Sequence, residues 1–62
     1  MAAWLAKDKD GTEALFMHKP YRRVLTNDWK ARHCAKVIIP KGNIKKLIGH
    51  NLKWKDDPVK FE

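Results

Sequence analysis

Residues 3–20 constrain this chain most: a turn sequence sits between two short apolar runs that pair residue for residue from Trp4 to Phe16. Asp8-Lys9-Asp10-Gly11 suits a type I turn closed by a bulge. Asp favours the first turn position, and Gly11 accepts the positive φ that the closure needs. The turn fixes the register, so Asp8 faces Thr12, Ala6 faces Ala14, Leu5 faces Leu15 and Trp4 faces Phe16. Side chains alternate across a strand, which puts Trp4 and Phe16 on one face and Leu5 and Leu15 on the other. The expectation is an N-terminal β-hairpin.

Downstream, Pro20 has no N–H to donate, so the second strand ends there or runs on as an edge through residues 21–25. Thr26-Asn27-Asp28 is turn chemistry. Residues 29–39 alternate with period two and finish in Val37-Ile38-Ile39, which predicts a strand at least from Cys34 to Ile39; a helix over 29–35 is the alternative. Pro40-Lys41-Gly42-Asn43 breaks that strand. Asn43 is placed to cap a short helix over 44–48, and Gly49 to end it in the left-handed conformation. Leu52-Lys53-Trp54-Lys55 and Val59-Lys60-Phe61 alternate again, around Pro58, as a last strand on a sheet edge. The expected core is Trp4, Leu5, Leu15, Phe16, Val37, Ile39, Leu47, Ile48, Leu52 and Trp54. The fold class is therefore small and β-rich (α+β): the hairpin lies in an antiparallel sheet of about four strands with one short helix near residues 43–48. All 62 residues form a single small domain.

At this length a chain is near the lower limit for folding without a metal, disulfides or a partner. The single cysteine, Cys34, excludes an internal disulfide and fits a reducing cytoplasm. No segment approaches the roughly 20 apolar residues of a membrane span, and the N-terminus lacks a signal-peptide pattern. A soluble cytoplasmic protein with no membrane partner is expected. The net charge of +7 is concentrated. Residues 18–55 hold eleven Lys or Arg against the lone Asp28, while both ends are mildly acidic. Such a belt attracts phosphates or an acidic protein surface, or simply stays solvated.

Three elements together resemble a loose group of very short, mostly uncharacterised bacterial proteins found in prophage or mobile-element neighbourhoods. They are Trp4-Leu5-Ala6-Lys7-Asp8-Lys9-Asp10-Gly11, then Lys19-Pro20, then Leu52-Lys53-Trp54-Lys55-Asp56-Asp57-Pro58. The resemblance implies a compact β-rich fold and a phage or mobile-element context, with no activity or catalytic residue attached. Lys53 and Lys55 stand where the group tends to be acidic.

Chemistry-bearing residues are few. His18, His33, Cys34 and His50 lack the paired spacing of a structural zinc site, and adjacent His33 and Cys34 point to opposite faces of a strand. Cys34 between Arg32 and Lys36 has a cationic setting, but a lone cysteine in such a run is more often a small apolar residue. No glycine-rich phosphate loop is present. Neither an enzyme nor a cofactor or metal is expected. What remains is binding. Tyr21, Arg22, Arg23, Trp29, Lys30, Arg32 and Lys36 interleave aromatics with cations and are the candidate contact surface. The leading expectation is a small interaction module docking a host protein or a second copy of itself as a homodimer. The alternative is nucleic-acid binding, with bases stacked on Tyr21 or Trp29 and cations on phosphates.

Overall fold

The computed structural model describes residues 3–61. In chain order the elements are β1 (Ala3–Lys7), β2 (Glu13–Phe16), β3 (Tyr21–Arg23), β4 (Asp28–Lys30), β5 (Val37–Ile39), α1 (Asn43–Ile48) and β6 (Val59–Phe61). The hairpin forms in the expected register, with Trp4 opposite Phe16, Leu5 opposite Leu15 and Ala6 opposite Ala14. Its turn is closed by Gly11 N–H donating to the Asp8 carbonyl at 3.0 Å and Asp8 N–H to that of Thr12 at 2.8 Å. Gly11 has φ of 92°, which a side chain would resist. β5 and β6 then add to the hairpin as antiparallel edges, giving a sheet in the order β5-β2-β1-β6.

The sheet is covered on both faces, and period-two alternation sorts the residues. Ala6, Ala14 and Phe16 are buried with Trp29 and Ala31 on one face, where Trp4, Cys34 and Trp54 pack around them. Leu5 is buried with Ile44 and Leu52 on the other, flanked by Leu15, Ile39, Ile48, Val59 and Phe61. The first cover is a second sheet, the β3–β4 ribbon; the second is α1 with the segment after it. Apolar area on both sides of the hairpin drives both closures.

Each cover is fastened by a buried carboxylate of the hairpin. Asp8 Oδ1 accepts the Trp29 N–H at 2.9 Å, and its other oxygen pairs with Lys36 Nζ. Glu13 reaches the opposite cover: Oε1 accepts the Ile44 N–H at 2.9 Å and Oε2 the Gly42 N–H at 3.0 Å, with Lys7 Nζ at 3.4 Å. Burial raises the Glu13 carboxyl, but the Gly42 and Ile44 amides and Lys7 outweigh it, so its pKa lies below the ordinary value.

Several expectations are corrected. Of the two alternatives at Pro20, the second strand ends and does not run on: β2 stops at Phe16, and Tyr21–Arg23 pairs with β4. Cys34–Lys36 is not strand, and only Val37–Ile39 joins the sheet. Residues 31–36 must carry the chain from the cover holding Ala31 to the edge of the central sheet, a path incompatible with an unbroken ladder. Leu52–Lys55 is not strand either, although Leu52 is buried and Trp54 half-buried. Val37 lies on the sheet edge, 49 % exposed, and Leu47 is 41 % exposed, so neither belongs to the core. A six-residue helix turns only Ile44 and Ile48 toward the sheet. Asn43 does not cap α1: the N-cap position is Gly42, with no side-chain bond of its own, and Glu13 supplies the acceptor across the fold. Gly49 ends the helix as expected, with φ of 85° and its N–H on the Lys45 carbonyl at 2.9 Å.

Candidate interaction surface

In the β3–β4 ribbon Tyr21 pairs with Lys30, Arg22 with Trp29 and Arg23 with Asp28. Alternation places Arg22 and Trp29 on the inner face and the other two pairs on the outer face. Trp29 is 3 % exposed, and its Nε1–H donates to the Lys7 carbonyl at 2.9 Å. It meets Trp54 edge-on with centroids 6.0 Å apart. Arg22 lies over both rings, 4.8 Å from the Trp29 centroid and 5.3 Å from that of Trp54. Its Nη2 also donates to the Trp54 and Asp56 carbonyls at 3.0 and 3.2 Å. Arg22 thus ties the ribbon to the 54–56 turn.

On the outer face Arg23 forks onto Asp28, Nε to Oδ1 and Nη2 to Oδ2, both at 2.7 Å. Thr26 Oγ1 donates to the same Oδ1 at 2.7 Å. The Arg23 fork, helped by Thr26, holds the Asp28 carboxyl well below the usual carboxylate range. Asp28 in turn raises the Arg23 pKa.

Of the seven candidate residues, four therefore have internal work. Arg22, Arg23, Trp29 and Lys36 hold the fold together, and Trp29 offers no face for a base to stack on. Tyr21, Lys30 and Arg32 are exposed, and Lys30 and Arg32 make no ion pair among the described residues. Lys45 and Lys46 on α1, and Lys41, Lys53 and Lys55, are exposed elsewhere.

The sequence reading missed Val24 and Leu25. They form the first half of the β3–β4 turn and are 71 % and 99 % exposed. The signal was two large aliphatics directly before Thr-Asn-Asp; turn positions ordinarily take small or polar residues. The turn is held in place nonetheless. Asn27 adopts φ of 58°, and its carbonyl accepts the Lys9 N–H at 3.2 Å, linking the tip to the turn of the first hairpin.

His18 and His33 meet edge to face with ring centroids 6.3 Å apart, and His33 precedes half-buried Cys34 in sequence. Among the described residues no group of three His, Cys, Asp or Glu is arranged to hold a metal ion. No helix among them is long and apolar enough to cross a membrane. Compared with protein-family models, curated proteins and solved structures, the chain matches none.

Proposed function

We propose that this protein is a small basic interaction module, of the phage or mobile-element type, that docks a protein partner in the cytoplasm through the outer face and tip of the β3–β4 ribbon. The observation that carries this reading is the tip itself. Val24 and Leu25 stand in water beside a face bearing Tyr21 and Lys30, with exposed Arg32 two residues past the end of β4, while the opposite face of the same ribbon is core. Aliphatics next to unneutralised cations suit a protein surface, where apolar contact supplies affinity and charge supplies steering. A phosphate backbone has no use for the aliphatics.

Capture from host lysate by the wild type and by Lys30→Glu/Arg32→Glu tests the reading. These two exposed side chains make no hydrogen bond or ion pair among the described residues, so the double variant should melt like the wild type and lose its partner. Equal capture by both would remove the assignment. The +7 charge also supports nucleic-acid binding as a second reading. That reading predicts affinity for short oligonucleotides falling steeply with salt, and it is weakened by the burial of Trp29, which leaves Tyr21 as the exposed ring of the candidate surface.

A further inference from the structure

We infer that Leu25 is the anchor of this surface, and that it seats in an apolar pocket whose rim on the partner protein carries carboxylates. The inference rests on the protein-docking reading above. Leu25 is 99 % exposed, so its side chain contributes nothing to the core. Nothing about the turn requires leucine there. Yet the turn that carries it is tied down on both sides of it: by the Arg23–Asp28 fork, the Thr26 hydroxyl on Asp28, and the Lys9–Asn27 backbone bond. A large apolar side chain on a pre-ordered tip loses little entropy when it is buried, which is the condition for an effective anchor.

The charge around the tip selects the occupant. Arg23, the ribbon cation nearest the turn, is cancelled by Asp28. Lys30 lies two rungs further back and Arg32 beyond it, both free of ion pairs among the described residues. An uncharged apolar tip with cations behind it matches an apolar pocket with an acidic rim. Anionic lipid fits less well: two aliphatics are a small membrane anchor, and the cation at headgroup depth is already neutralised. A second copy fits poorly too, since the described residues form no pocket to receive Leu25 and both copies would carry +7.

The test uses the full chain and proteins captured by the wild type, purified singly. Each is titrated with wild type, Leu25→Ala, Leu25→Asp and Lys30→Glu/Arg32→Glu, beside phosphatidylserine vesicles and a short oligonucleotide. Both Leu25 variants should melt like the wild type. Leu25→Ala should weaken binding roughly tenfold and Leu25→Asp about a hundredfold, mostly through faster dissociation. The double charge variant should mainly slow association and flatten the salt dependence. Wild-type affinity in both Leu25 variants, with loss only in the double variant, overturns the anchor and leaves docking intact. Vesicle or oligonucleotide binding that Leu25→Asp abolishes, with no effect on protein titrations, also overturns it. If no purified protein binds the wild type, the docking reading fails and the anchor with it.

Discussion

The two faces of the central sheet are closed by the same device carried out in different materials. On each, a buried hairpin carboxylate accepts backbone N–H from the covering element and a lysine balances its charge. Glu13 takes two amides of the α1 start, and the cover above it is aliphatic. Asp8 takes one amide, that of Trp29, and the cover above it is aromatic, with Arg22 laid over Trp29 and Trp54. A chain this small has little apolar area to spend, so anchoring each layer by a satisfied charge compensates for thin cores. The aromatic face additionally leaves its outer surface and tip uncovered, and that is where we propose the docking surface.

The harshest way to break the comparison is to hollow one face at a time. Phe16 and Leu5 are fully buried on opposite faces. Phe16→Ala should cost about 3–5 kcal/mol and Leu5→Ala about 2–5 kcal/mol, either comparable to the whole stability of a domain this size. Because both faces share one hairpin, urea unfolding followed by tryptophan fluorescence and by far-UV circular dichroism should stay coincident in each variant. Separate transitions would mean that the two covers unfold independently.

Removing the anchors comes next. Glu13→Ala orphans the buried Ile44 amide and the part-buried Gly42 amide and should cost about 2–4 kcal/mol, while Asp8→Ala orphans the one buried Trp29 amide and should cost about 1–3 kcal/mol. Hydrogen exchange locates the damage: the Ile44 amide loses protection in the first variant and the Trp29 amide in the second. The reverse order of cost would show that the lysine pair, not the amide count, sets the strength of each anchor. Acid probes the same feature. Glu13 and Asp28 both have folded pKa values below their ordinary ones of 4.5 and 3.8. The unfolded chain therefore takes up these protons first, so their stabilisation is complete above those values and is lost as pH falls below them. Glu13→Gln should flatten the decline in melting temperature below about pH 4.5; an unchanged slope would assign the acid sensitivity to the other face.

The aliphatic face was largely legible in the sequence and the aromatic face was not. The hairpin register followed from one turn and a period of two, and α1 from Ile44, Leu47 and Ile48 at i, i+3, i+4 with Gly49 behind them; these are local patterns, though Leu47 stays exposed. The β3–β4 ribbon is three residues per strand, too short for periodicity to register, and it is organised by Asp8 and Arg22 through contacts 21 and 32 residues away in sequence. Aromatics beside cations at 21–36 looked like a binding belt because the sequence does not say which side of a short strand faces inward. Trp29 and Arg22 face in, and Tyr21 and Lys30 face out. Replacing Arg22 with Leu sharpens this point at a smaller scale. It removes two cation–π contacts and two carbonyl bonds, should cost about 1 kcal/mol, and should change near-UV circular dichroism while α1 stays protected from exchange.

The smallest expected effect separates local from long-range capping. A Ser, Thr, Asn or Asp at a true N-cap loses about 1 kcal/mol on replacement by Ala. Asn43 is the residue that sequence alone assigns to that role, yet the N-cap position is Gly42 and the α1 amides are satisfied by Glu13 from β2. Gly42 has φ of 96°, a conformation that lets the chain present both its own N–H and that of Ile44 to one carboxylate. Asn43→Ala should therefore shift the urea midpoint by less than about 0.5 kcal/mol, within the range of ordinary surface changes. A loss near the full N-cap value would instead assign Asn43 a capping role of its own and reduce Glu13 to one anchor among several. Combined with Glu13→Ala, the two costs should simply add, because the Asn43 side chain shares no hydrogen bond with the Gly42 and Ile44 amides that Glu13 holds.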